Sequence, residues 1–355
     1  VPYGNVYFVT LDDKLVALDA TNGRLKWQVS VASPAVGYSE TVTPLVYNAT
    51  VIIESAGGNG RSAGSSRYTT RRADGSAGAG GRPEELRRQL LTKRRRDGWT
   101  TPALDPQRNL LIFSTGNPKP DLYGNTRRGD NPWSDSIVAL DVRSGKLRWA
   151  YQEVKHDVWD YDAVSPVVLF DVVENAQTIP AASEAGTVGW FFIVNRETGK
   201  LIRKSDPYVA FSKNAFTTPT KAGVDMLPGA NGGANWSPPA YSQQTHYVYE
   251  MGIDQLMKFT TAPQKTVRGQ LRLGSAFTNV EPHGVQDGRF VAIDTYTGKI
   301  AWTHMTRQPL IGGPLVTASN LAFMGEGDGN FDALYARTGR LLWQYNLAAG
   351  VNAPR

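Results

Sequence analysis

The stretch HDVWDYDAVSP, residues 156–166, places three carboxylates within six positions: Asp157, Asp160 and Asp162. Trp159 and Tyr161 lie between them. Carboxylates this close repel one another, and the chemistry that uses such a group is proton abstraction or the binding of a hard cation through oxygen. The ordinary alternative for each is a solvated turn carboxylate or a cap. For Asp157 a turn-capping role fits best. Either chemistry depends on elements that hold this loop against a second set of residues.

A chain of 355 residues has room for two ordinary domains or one large all-β domain. No run of eighteen apolar residues occurs, so no transmembrane helix is expected. The opening VPYGNVYFVT has neither a basic nor an apolar leader region and reads as the middle of a strand, which predicts a partial chain. The absence of cysteine excludes disulfides, thiolate metal sites and CxxCH haem attachment. The net charge of +6 is localised: residues 55–98 carry eleven basic and four acidic residues, and the rest of the chain is slightly acidic. That distribution argues against a nucleic-acid groove.

One pattern recurs. LVALDATNGRLKW ends at Trp27, IVALDVRSGKLRW at Trp149, FVAIDTYTGKIAW at Trp302 and FDALYARTGRLLW at Trp343. A weaker copy, FFIVNRETGKLIR, ends at Arg203. Each reads as a strand, a tight turn and a second strand, with Asp, Asn, Ser or Thr bonding the turn backbone and Gly supplying positive φ. The closing Trp is a large apolar anchor. Such repeats, with hardly any helical period, predict an all-β chain forming one partial β-propeller over residues 1–355, with a β-sandwich as the alternative.

With the motifs GWTTPALDP, STGNPKPD, RRGDNPWSDSIVALD, YQEVKHDVWDYDAVSP and GGANWSPPAY, these repeats resemble the tryptophan-docking motifs of PQQ-dependent quinoprotein alcohol dehydrogenases. The resemblance covers most of the chain outside residues 55–98. It implies part of an eight-bladed propeller that holds pyrroloquinoline quinone (PQQ) and a metal ion on its axis. By motif position, Asp160 corresponds to the catalytic base and a metal neighbour, and Asn117 to the neutral amide-oxygen metal ligand. Asp162 matches an aspartate of the lanthanide-dependent members, where calcium enzymes carry a small uncharged residue. A trivalent hard cation favours the additional anionic oxygen. Trp99 matches the ring-stacking tryptophan, Thr41 a threonine that bonds a cofactor carboxylate, and Asn235 and Trp236 another cofactor-contacting pair. Where the family carries Lys or Arg this chain has Thr187, so a positively charged donor to the quinone oxygen is missing there.

The resemblance further implies a small-molecule alcohol as substrate, a cytochrome c-type or quinone electron acceptor and a periplasmic location. A homodimer is compatible with it. A non-catalytic scaffold of the same repeat class, or an inactive fragment of the enzyme, are the competing readings.

After VIIESAGGNG the family would show a Gly-Gly-Glu element whose Glu binds the metal. Here residues 55–98 are rich in Gly, Ala, Ser and Arg without strand or helix period, which predicts irregular chain with no paired blade strands between residues 60 and 96. Codons built from the third base of each codon and the first two of the next permit a Glu across Gly58 and Asn59 and a docking repeat beyond it. The segment therefore reads as a frameshift that opens near residues 54–58 and closes before Trp99.

Overall fold

The computed structural model describes residues 2–33, 35, 38–39, 42–57, 67–75, 100–265, 267, 272–279 and 284–353. Among them six antiparallel sheets follow one another along the chain as blades of a partial β-propeller. The first blade contains Asn5–Val9, Lys14–Asp19 and Leu25–Ser30, and the second Tyr38–Ser39, Leu45–Tyr47, Thr50–Gly57 and Arg67–Arg72. The third contains Ala103–Asp105, Leu110–Thr115, Ser136–Asp141 and Leu147–Gln152, and the fourth Val168–Glu174, Gln177–Ala185, Phe191–Asn195 and Leu201–Lys204. The fifth contains Ala240–Ser242, Tyr247–Gln255, Gln286–Asp294 and Ile300–Thr306, and the sixth Leu315–Val316, Leu321–Gly325, Asn330–Tyr335 and Leu341–Asn346. A small sheet of Val224–Met226, Met257–Phe259 and Phe277–Asn279 is inserted around the fifth blade.

The repeated sequence motif is a repeated bulged hairpin. Gly145 N–H donates to Asp141 O at 2.7 Å, and Gly23, Gly199 and Gly298 make the equivalent bond to Asp19, Asn195 and Asp294 at 2.8 Å. The register shifts at Ala17/Leu18, Ala139/Leu140, Ile193/Val194, Ala292/Ile293 and Ala333/Leu334, the same place in every copy. In the first, third and fifth blades the closing tryptophan docks on the turn of the next blade. Trp149 Nε1 donates to Arg196 O at 2.9 Å, and a Cβ on Gly199, whose φ is +69°, would sit 2.7 Å from the indole. Trp27 Nε1 reaches Ala73 O at 3.0 Å, and Trp302 Nε1 reaches Ala336 O at 2.8 Å. Arg203 takes the tryptophan's place in the weaker copy and donates to Thr295 O at 3.0 Å. The main cores lie between blades: Leu110, Ile137 and Trp149 pack with Ala182, Phe192 and Val194 between the third and fourth. Burial of apolar area at these interfaces, about 25 cal/mol per Å², is what orders successive blades.

One expectation is corrected. Arg67–Arg72 form a strand within the segment expected to be unpaired, laddered to Thr50–Ser55 over six residues. Leu45–Tyr47 cover one edge of Thr50–Ile52 and leave the other as open backbone donors and acceptors. A neighbouring Tyr-Thr-Thr run of high β-propensity meets that need despite its arginines. The ladder removes the support that irregularity lent to the frameshift at residues 67–72. Residues 58–66 and 76–99 lie outside the described residues.

Candidate active site

Two loops of the third blade build the site. Leu110–Thr115, buried along its whole length, runs into Gly116-Asn117-Pro118, and Leu147–Gln152 leads into the loop bearing Asp157, Asp160 and Asp162. Ser114 Oγ donates to Ser165 O at 3.0 Å and aligns the two. Asn117 then bridges both carboxylates: its backbone N–H donates to Asp162 Oδ1 at 2.5 Å, and its Nδ2 to Asp160 Oδ1 at 2.6 Å. The structure thus brings Asn117, Asp160 and Asp162 together across 45 residues of chain.

Asp157 is a turn cap. It is fully buried, and its two oxygens accept the backbone N–H groups of Trp159 at 2.9 Å and Tyr161 at 3.0 Å. Behind the loop, Tyr161 donates its hydroxyl to Pro228 O at 2.7 Å and Trp159 Nε1 donates to Thr217 O at 2.9 Å.

The motif reading missed two charged neighbours, Lys119 and Asp121. They follow Asn117 within NPKPD, and the clue was two opposite charges flanking Pro120. Asp121 is buried with its Oδ2 3.3 Å from Lys119 Nζ. Burial, followed by the charges of Asp121 and Asp162, pushes the Asp160 carboxyl well above the usual range, and Lys119 opposes this. Burial raises Asp162 to about 7 against Lys119 and the Asn117 N–H. Burial raises Asp157 to about 6, opposed by its two amides and Arg127. The carboxyls of this cluster, Asp121, Asp157, Asp160 and Asp162, outnumber the cations beside them, Lys119 and Arg127.

These residues fit a hard cation in the nature of their atoms. Asn117 Oδ1 is buried and accepts no hydrogen bond. Among the described residues no three His, Asp or Glu side chains close on one point, so the amide oxygen would have to join the carboxylates as a ligand.

Thr187 faces the same loop and donates its Oγ1 to Asp162 O at 2.7 Å. The GGANW loop is stitched to both ends of this arrangement: Gly233 N–H donates to Thr187 O at 2.5 Å, and Ser165 Oγ to Ser237 O at 2.9 Å. Asn235 spends its amide locally, on Asn231 O at 2.9 Å and the Trp236 N–H at 3.0 Å. Trp236 is 52% exposed. Thr41 and Trp99 lie outside the described residues. Their described neighbours meet, with Thr43 N–H donating to Thr101 Oγ1 at 3.1 Å.

Residues 32–206 match the family described as Glucose/ethanol/alcohol dehydrogenase, beta-propeller domain. Residues 257–353 match that of the outer membrane protein assembly factor BamB. Quinoprotein alcohol dehydrogenase PedH of Pseudomonas putida is 31% identical over 98% of this chain and 66% of its own length. The lanthanide-dependent methanol dehydrogenase of Methylacidiphilum fumariolicum is 29% identical over 98% of this chain and 64% of its own. The solved structure of a europium-containing methanol dehydrogenase superposes with a TM-score of 0.88 at 28% identity, covering all of this chain and 69% of that one. The chain therefore spans about two thirds of the length of these relatives. Bulged docking hairpins, six blades in order and similarity to such enzymes over nearly all of this chain place it in the family of PQQ-dependent quinoprotein alcohol dehydrogenases, as a partial β-propeller.

Proposed function

We propose that the protein oxidises an alcohol with PQQ and a metal ion, and that Asp160 is the base that takes the hydroxyl proton. The observation that carries this is the junction of Asn117 with Asp160 and Asp162, with the Asn117 Oδ1 left as an unused buried acceptor. When bound, PQQ supplies the two-electron acceptor for a hydride, with the cation as Lewis acid at its carbonyl. The chain's own part is to hold and ionise the base. Asp160 in its surroundings favours the protonated form, and a cation held by Asn117 Oδ1, Asp160 and Asp162 would reverse that preference. Three protein oxygens, two of them anionic, suit a lanthanide, with calcium as the alternative. Trp99 and Trp236 would flank the quinone, with Thr41 and Asn235 as polar contacts.

The electron would pass to a cytochrome c-type or quinone acceptor in the periplasm. A docking scaffold needs only the hairpins and gives no reason to keep a buried carboxylate cluster. The test is PQQ titration followed by absorbance, with and without a lanthanide. Saturable, lanthanide-enhanced binding is expected, and no binding under either condition refutes the proposal.

A further inference from the structure

Asp160 has φ +68°, the left-handed region that few non-glycine residues adopt, aspartate more readily than most. One carboxylate pins the peptide that follows Asp160 and the Val158–Trp159 peptide one residue before it, since Asp157 accepts both the Trp159 and the Tyr161 N–H. That clamp fixes the backbone on both sides of Asp160, whose carboxylate meets Asn117 Nδ2.

Asp157 is itself a buried anion and needs compensation. Arg127, 8% exposed, lies against it. Its Nη2 donates to Asp157 O and, at 2.8 Å, to Asp121 O, while its Nε donates to Pro120 O at 3.0 Å. One planar guanidinium therefore joins the loop that carries Asn117 to the loop that carries Asp160. Arg127 is held in turn, with its N–H on Gly124 O at 2.9 Å and its carbonyl accepting Asn131 Nδ2 at 2.8 Å.

We propose that Asp157 and Arg127 are positioning residues: Asp157 holds Asp160 in its left-handed turn, and Arg127 locks that turn to the Asn117 loop. This rests on Asp160 being the base. Neither residue touches the reacting atoms.

The test compares Asp157→Asn, Asp157→Ala, Arg127→Lys and Asp160→Asn in the PQQ- and lanthanide-loaded protein. Steady-state kinetics and amide hydrogen exchange at Trp159 and Tyr161 are the readouts. A misplacement of about 1 Å costs about a hundredfold in rate. Asp157→Asn keeps one acceptor and loses the other, so kcat should fall about a hundredfold with KM for the alcohol nearly unchanged. Exchange at one or both of the two amides should rise about tenfold while the third-blade strands stay protected. Arg127→Lys keeps the charge but not the fork and should lose about tenfold in kcat. Unchanged kcat and unchanged exchange in folded Asp157→Asn would overturn the proposal, as would exchange rising equally across the blade. If Asp157→Ala fails to fold, Asp157→Asn and Arg127→Lys carry the test. Turnover surviving in Asp160→Asn would refute the base, while exchange at Trp159 and Tyr161 still decides whether Asp157 holds the turn.

Discussion

Substitution of Asp162 separates two contributions of one side chain. Its Oδ1 accepts the Asn117 N–H at 2.5 Å, which fixes the residue whose free amide oxygen faces the proposed cation. Its charge would supply the second anionic ligand. Asp162→Ala removes both contributions and leaves a buried N–H without a partner, at a cost of about 1–3 kcal/mol. Asp162→Asn keeps an acceptor oxygen and removes only the charge. Coulomb attraction scales with the charge of the ion, so the loss of one anionic oxygen costs a trivalent ion about 1.5 times as much free energy as a divalent one. A variant that weakens calcium about tenfold should therefore weaken a lanthanide about thirtyfold. The assay is europium emission with calcium competition, beside thermal unfolding of the cation-free proteins. Asp162→Asn should unfold near the wild-type temperature and lose lanthanide preference. Asp162→Ala should lose both. Equal losses for the two ions, or an unchanged lanthanide affinity, would remove Asp162 from the ligand set.

Cation affinity should rise with pH through about 7, because the ion must displace protons from Asp162 and Asp160. Calorimetry in buffers of different ionisation heat counts those protons, and pH-independent affinity without proton release would contradict the account. The same raised carboxyl makes the cation-free protein lose stability as pH rises from the ordinary value of 3.8 to about 7, since the folded state then holds the extra proton. Trp149→Ala should cost about 3–5 kcal/mol in denaturant unfolding, because it empties the seat between the third and fourth blades; a loss below about 1 kcal/mol would make the docking contact incidental. The gene should carry a Glu codon across Gly58 and Asn59 in the shifted frame, and its absence from the nucleotide sequence would end the frameshift reading.

The propeller was legible because it repeats. Five copies of one hairpin set the turn glycine, the bulge and the docking position, and local rules suffice for each. The Asp157–Asp162 loop was legible as chemistry because carboxylates beside bulky aromatics demand a reason. Its internal geometry was not, since the left-handed turn at Asp160 depends on which of three aspartates captures the amides. Lys119, Asp121 and Arg127 escaped the motif reading because their roles come from tertiary burial, at which the opposite charges flanking Pro120 only hint. The strand at Arg67–Arg72 was misread for a related reason: its pairing is set by the open edge of Thr50–Ser55 more than by its own composition.

The most direct test of the central claim is alcohol oxidation, followed with a redox dye, by the PQQ- and lanthanide-loaded protein and its Asp160→Asn variant, with bound PQQ quantified in the same samples. The Asn keeps the side chain's shape and an acceptor oxygen toward Asn117 but has no basic carboxylate. The account predicts turnover in the wild type, and equal PQQ occupancy in the variant with turnover reduced by at least about a hundredfold. Turnover within a few fold of wild type at full PQQ occupancy would contradict it.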